Sequence, residues 1–228
     1  MQNKNRIFIV IEARSTSTRL KKKHLFSFQG LTLIRILIKK LKKVRNINGI
    51  ILATTENKIE KSLIREAKKE NIKIFRGSEK NVLERVIKAG EKYNAKVICR
   101  ITGDCPLIDI RFVQSLIDIY CKNKTKDFIS NSKGLPVGQG GSIIKLSCLK
   151  KIFEFTTKNR HIEFITSYIW ENKKKFKTLI IKPNTIFYLP RVRMCLDTIK
   201  DVNFIEKISK RYDLLTLKIE DIIKFKNT

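Results

Sequence analysis

The chain alternates two hydrophobic rhythms. Short apolar runs rich in β-branched residues fit buried strands. Between them lie longer segments whose apolar residues return every three or four positions, as in amphipathic helices. Residues 7–11 (Ile-Phe-Ile-Val-Ile) read as the first strand and 31–44 as the first helix. Strand 49–53 precedes a helix over 58–70, and strand 72–75 a helix over 80–93. Strand 96–102 leads to a helix opening at Asp109, whose side chain can cap free N–H groups. This order predicts an α/β fold: a mainly parallel sheet, covered on both faces and joined by right-handed crossovers. The second half is less regular. Strands are expected over 127–131, 142–145, 176–182 and 192–196, with helices over 146–155, 160–171 and from Asp197-Thr198 to about Arg211. A loop with four glycines, 134–141, interrupts them.

A chain of 228 residues with 42% apolar side chains can bury one sizeable α/β core and is short for two. No repeat or low-complexity linker marks a boundary, so one domain over 1–228 is expected. Nothing approaches the ~20 apolar residues of a membrane span, and the basic N-terminus lacks an apolar signal core; a cytoplasmic location is expected. The five cysteines are odd in number, scattered and free of C-x-x-C spacing, and there are two histidines. Reduced thiols are expected rather than disulfides or zinc. The formal net charge of +29 would suit nucleic acid or an anionic membrane surface. The cations, however, run along the whole chain, at 39, 40, 42 and 43 as at 173–175, without interleaved aromatics on one face. The charge is therefore read as a compositional bias, with no nucleic-acid partner. It would still raise encounter rates with small anions, less so at high salt.

Candidate chemistry lies just after the strands. Arg14, Arg19, Lys21, Lys22 and Lys23, interleaved with Ser15, Thr16, Ser17 and Thr18, follow the first strand. They would leave the C-terminal edge of the sheet, where open α/β folds bind ligands. Five cations in ten residues repel one another unless an anion sits among them, and a polyphosphate would supply it. A solvated lysine-rich loop is the alternative. Asp104 lies in a Gly-Asp-Cys-Pro turn after one apolar strand, and Asp197 follows Leu196 after another. Two carboxylates on that rim could share a hard cation such as magnesium with substrate phosphates. Taken singly, Asp104 equally suits a turn former and Asp197 a helix N-cap.

Four segments together resemble a known family. Ala13-Arg-Ser-Thr-Ser-Thr-Arg-Leu-Lys-Lys-Lys23 resembles the A-R-x-G-S-x-R-L-P-x-K loop of bacterial cytidylyltransferases of the spore-coat-polysaccharide type. These are related to the enzymes that make CMP-activated sialic acid and 3-deoxy-manno-octulosonate. The segment 75–85 is similar to their F-R-G-S-x-x-x-V-L-x-R, the segment 100–109 matches R-I-T-G-D-C-P-L-I-D throughout, and 197–201 is similar to D-T-x-x-D. The resemblance implies a Rossmann-like three-layer α/β/α nucleotidyltransferase sandwich with a mainly parallel mixed sheet. It implies attack by an acceptor oxygen on the α-phosphorus of CTP, with release of pyrophosphate. The product would be a CMP- or CDP-activated precursor for a surface polysaccharide such as capsule or lipopolysaccharide.

Carried over, Ala13, Arg14, Arg19, Lys23, Arg76, Thr102 and Asp104 would contact the nucleotide, with Arg14, Lys23 and Asp104 catalytic. Asp104 and Asp197 would hold Mg2+. Asn131, Gln139 and His161 are the candidates for the acceptor side, and the partners would be CTP and a small anionic acceptor. A homodimer is left open. Trp170 and the phenylalanines read as core. The chain departs from the family at three places. Thr16 replaces a glycine, and Lys21-Lys22 replaces Pro-Gly. Where relatives often have G-L-D-V-E-V-F, this chain has Gly-Leu-Pro-Val-Gly-Gln-Gly-Gly-Ser-Ile-Ile from 134, without acids. A sugar-transferring enzyme on a similar fold would want a D-x-D motif, which Gly-Asp-Cys-Pro does not supply.

Overall fold

The computed structural model describes residues 5–17, 19–131, 134–182, 188–189 and 191–226. In chain order the strands are β1 (Ile7–Glu12), β2 (Ser27–Phe28), β3 (Leu31–Thr32), β4 (Gly49–Thr55), β5 (Lys73–Gly77), β6 (Val97–Thr102), β7 (Phe128–Asn131), β8 (Ser142–Lys145) and β9 (Thr178–Ile181). The helices are α1 (Leu33–Leu41), α2 (Lys61–Lys68), α3 (Val82–Lys92), α4 (Ile110–Lys122), α5 (Leu146–Phe155), α6 (Asn159–Glu163), α7 (Ser167–Glu171), α8 (Ile199–Ser209) and α9 (Ile219–Lys226).

The main sheet runs β5-β4-β1-β6-β8-β7-β9. Its first four strands are parallel, β8 runs antiparallel to both neighbours, and β9 pairs in parallel with β7. β1 is central and its residues 7–11 are fully buried, which explains an unbroken apolar run rather than an alternating one. Both faces are covered. On one, Ile34, Leu37 and Ile38 of α1 and Val113 and Leu116 of α4 pack on Ile9 and Ile101. On the other, α3, α5 and α7 cover Phe8, Val10, Ile98 and Ile144. A third cluster joins the outer side of α1 to α8, α9 and the 192–196 segment. This is the three-layer α/β/α arrangement.

Several boundaries differ from the pattern. The helix expected from 31 starts at Leu33, because Leu31-Thr32 folds back on Ser27-Phe28 through a tight turn at Gln29-Gly30. The helix expected over 160–171 breaks into α6 and α7, leaving Phe164 exposed while Ile165 stays in the core. Residues 192–196 form no strand of the sheet; among them only Arg193 bridges, to Val137. Val192, Met194 and Leu196 enter the third cluster instead, so their alternation reflects packing beside the sheet. α9 was not foreseen: two short turns carry too little periodicity to stand out from the loop before them. As expected, Asp109 caps α4, accepting from Arg111 N at 3.0 Å.

Candidate active site

Loop 13–23 leaves β1 at the sheet's C-terminal edge and is pinned from below. Ser15 donates through both N and Oγ to the buried Glu60 carboxylate at 2.8 Å each. His24, also buried, puts Nδ1 3.0 Å from the Gly103 carbonyl and Nε2 3.2 Å from the Arg14 carbonyl. Burial lowers its pKa, and its two ring nitrogens join the two loops. Gly103 permits the close approach. A Cβ there would lie 2.6 Å from Ala13 Cβ and 3.0 Å from the Glu12 carbonyl oxygen.

The charged groups meet above this clasp. Lys23 Nζ lies 2.5 Å from Asp104 Oδ2 and 2.6 Å from Asp197 Oδ1, and the lysine is only 6% exposed. Burial alone would lower the Lys23 pKa; the two carboxylates outweigh it and leave it raised. Burial likewise pushes Asp104 up, and Lys23 more than reverses this. Arg19 reaches Asp197 Oδ1 at 3.1 Å, and Arg193 reaches its Oδ2 at 3.2 Å. The main chain ties the acids together as well, Leu196 N donating to the Asp104 carbonyl at 2.8 Å. Asp197 is fixed from the other side by α8, whose Thr198–Asp201 capping box also receives Asp197 N on Asp201 Oδ2 at 2.9 Å.

A cleft of about 430 Å³ opens beside Lys23 and Asp104, walled by Arg14, Arg19, Arg85 and Arg100 among others; Asp197 and Arg193 are not among its lining residues. A smaller cavity of about 200 Å³ adjoins it and shares Arg100 and Thr102. A larger opening, about 510 Å³, lies at the far end of β6 around Lys96 and Lys150, but its lining includes no acidic side chain. The rim where both signs of charge converge is the candidate site. Two hard carboxylates already sharing one cation suit a divalent ion completed by substrate phosphates. Among the described residues there is no cluster of three or more His, Cys, Asp or Glu that would hold a metal unaided.

A model of the cytidylyltransferase family matches residues 8–222. The chain belongs to the cytidylyltransferase family. It is thus a nucleotidyltransferase enzyme. An uncharacterised protein of Methanocaldococcus jannaschii is 33% identical over 220 residues, covering 96% of this chain and 90% of its own. The spore coat polysaccharide biosynthesis protein SpsF of Bacillus subtilis is 26% identical over 213 residues, covering 91% and 88%. The solved structure of a cytidylyltransferase from Leptospira borgpetersenii superposes with a TM-score of 0.91 at 30% identity, covering 97% of this chain and 94% of that one. No helix among the described residues of this cytidylyltransferase is long and apolar enough to cross a membrane.

Of the site residues named from the sequence, Ala13, Arg14, Arg19, Lys23, Thr102 and Asp104 line the main cleft of the cytidylyltransferase. Arg14 is anchored to Glu163 at 3.2 Å. Asp197 joins them through its pairs with Lys23 and Arg19 but does not line the cleft, and four others sit elsewhere. The Arg76 guanidinium donates to the carbonyls of Thr55 and Glu56 on the neighbouring strand and does not line the cleft. The Gln139 side chain is buried, accepting from Asp109 N at 2.8 Å and donating to its carbonyl at 3.0 Å; it braces the start of α4 rather than facing an acceptor. His161 is buried between Thr156 at 2.7 Å and Glu171 at 2.8 Å, so it staples α6 to α7. Strand alternation puts Asn131 on the face of Ile129, opposite the cleft, while Ser130 faces the smaller cavity.

Sequence reasoning passed over Glu12, Arg85, Arg100, Glu163 and Phe164, all of which line the main cleft. Arg85 is almost fully buried; it donates to the Ser78 carbonyl, and burial lowers its pKa. A charged residue inside an otherwise apolar periodic segment, as at 85 and 100, was the available signal.

Proposed function

We propose that this cytidylyltransferase uses CTP and Mg2+ to activate a small anionic acceptor for surface polysaccharide synthesis in the cytoplasm. One observation carries the proposal: the Lys23 ammonium lies between Asp104 and Asp197, with Arg19 and Arg14 beside it. Phosphoryl transfer asks for positioning and charge neutralisation more than for covalent chemistry, and this rim offers both signs of charge. An acceptor oxygen would attack the α-phosphorus. The bond to the β-phosphate would break, and pyrophosphate would leave with the bonding pair. Arg14, Arg19 and Lys23 would bind the triphosphate and take up the negative charge that moves onto the leaving group. Asp104 and Asp197 would hold the divalent ion, which supplies Lewis acidity and a template for the phosphates. Thr102, on the wall between the two cavities, would orient the nucleotide toward the acceptor. The missing acids in 134–144 support an acceptor with more negative charge than relatives use, such as a phosphate.

The experiment is a pyrophosphate-release assay with each of CTP, UTP, ATP and GTP, Mg2+ and a panel of sugar acids and phosphorylated polyols. Release with CTP and a phosphorylated acceptor is the expected result. Turnover of a different triphosphate in preference to CTP, or of CTP only with neutral or mono-carboxylate sugars, overturns the corresponding part.

A further inference from the structure

The buried carboxylate beneath loop 13–23 has no local reason to point where it does. Glu60 occupies the N-cap position of α2, where a polar side chain commonly accepts from the free N–H groups of its own helix. Glu60 makes no such bond. It turns instead to the loop and to the end of β4. Oε1 accepts from Ser15 N at 2.8 Å and from Thr55 Oγ1 at 3.2 Å, and Oε2 accepts from Ser15 Oγ at 2.8 Å. Glu60 and Thr55 are fully buried and Ser15 is 2% exposed. No lysine or arginine among the described residues forms an ion pair with this carboxylate; Arg85 acts on it only at longer range. Burying a carboxylate is costly unless it is paired or hydrogen-bonded, so these three bonds are what hold it there.

Ser15 is the point through which Glu60 reaches the cleft. Its hydroxyl faces away from the cleft, toward Glu60, while its neighbours Arg14 and Thr16 line the main cleft. The adjoining peptide groups are tied as well. The Arg14 carbonyl meets His24 Nε2 at 3.2 Å, and the Ser15 carbonyl accepts from Lys22 N at 3.2 Å. Local preference does not supply this shape. Lys22 sits at φ 52°, a left-handed conformation that glycine takes freely and other residues resist. The loop therefore depends on anchors outside itself, and Glu60 is the one that takes both the N–H and the hydroxyl of a single loop residue.

We propose that Glu60 is a positioning residue: it holds Ser15 away from the cleft and so sets Arg14 and Thr16 toward the triphosphate before substrate arrives. The inference rests on a triphosphate binding in the main cleft. Donors fixed in advance need no reorganisation when charge develops, which is where such a clasp acts on the reaction.

The test combines residue-resolved amide hydrogen exchange with calorimetric titration of a CTP analogue whose α,β bridge is methylene, in the presence of Mg2+. The variants are Glu60→Gln, Ser15→Ala and, as a control, Glu70→Gln. Glu70 is equally buried, at 3% exposed, and pairs with Arg35 and Lys42 away from the loop. In Glu60→Gln an amide NH2 replaces one acceptor and faces a donor. The Ser15 amide should exchange at least tenfold faster than in wild type, and the analogue should bind at least tenfold more weakly. Ser15→Ala, which keeps the bond from Ser15 N, should weaken the analogue about threefold; it decides the matter if Glu60→Gln does not fold. Glu70→Gln should lower the unfolding temperature and leave the Ser15 amide and the analogue affinity within twofold of wild type. Equal Ser15 exchange in wild type and Glu60→Gln, unchanged analogue affinity in both loop variants, or equal weakening by Glu70→Gln overturns the inference. Failure of wild type to bind the analogue would sink the CTP reading instead, and the exchange of the free protein would still show whether Glu60 holds the loop.

Discussion

At the scale of single residues, Lys23 does the work of a counter-ion. Asp104 and Asp197 would repel each other across a half-buried gap without it. Replacing Lys23 by Met should lower stability by about 1–3 kcal/mol, less than for a fully buried pair because Asp104 keeps some solvent. The turnover of CTP should fall at least about 100-fold, the scale of losing one preorganised charge contact in a transition state. Mg2+ should restore more stability to Lys23→Met than it adds to wild type, as read by thermal unfolding. The pH dependence follows from the directions of the two shifts. The lowered pKa of Asp104 gives stability that is present above the usual carboxyl range and lost as the pH falls through the folded value. The raised pKa of Lys23 gives stability that is complete below 10.5 and lost only above it. The difference in unfolding temperature between wild type and Lys23→Met should therefore be flat from about pH 5 to 9 and close below about pH 4.

At the scale of elements, α8 and α1 make separate predictions. The α8 cap holds Asp197 through Asp201, which also grips Arg193 at 2.9 Å. Asp201→Ala should cost about 1–2 kcal/mol through the lost cap. It should also reduce activity, measured as pyrophosphate release, because Asp197 loses its support; Asp201→Asn should recover part of both. In α1, Lys40 is 1% exposed and its ammonium has no hydrogen-bond partner among the described residues. Burial pulls its pKa from 10.5 down to about 8. Below pH 8 the folded state carries a buried charge, so Lys40→Met should stabilise the protein at pH 7 by up to about 3 kcal/mol. Between pH 8 and 10.5 the unfolded chain holds a proton that the folded one has released. Wild-type stability rises with pH across that window, and the advantage of the variant should shrink there.

Most elements could be read from the chain because strands buried on both faces are apolar throughout and helices on one face are periodic. Where a short segment packed against something other than the sheet, the pattern misled. Residues 192–196 looked like a strand since alternation reports burial on one side, whatever lies there. Gln139 and His161 looked functional because an isolated polar residue near a motif resembles a site residue; their partners, Asp109 and Glu171, are visible only in three dimensions.

For the whole molecule, the net charge of +29 acts on association rather than on the fold. The kcat/KM for CTP should fall several-fold between about 0.05 and 0.5 M NaCl while kcat changes little, since screening shortens the reach of the field. Initial-rate kinetics across that salt series would check it.

The sequence by itself determined the α/β alternation, the family and the segments that carry the chemistry, since periodicity and motif spacing are local properties of a chain. Only the tertiary structure decided which distant groups meet: Lys23 with two acids more than eighty positions away, and Arg100 with Ser142 and Ser130 in one row. Those contacts depend on strand order and register, which are set by how the whole core packs and not by any one stretch of residues.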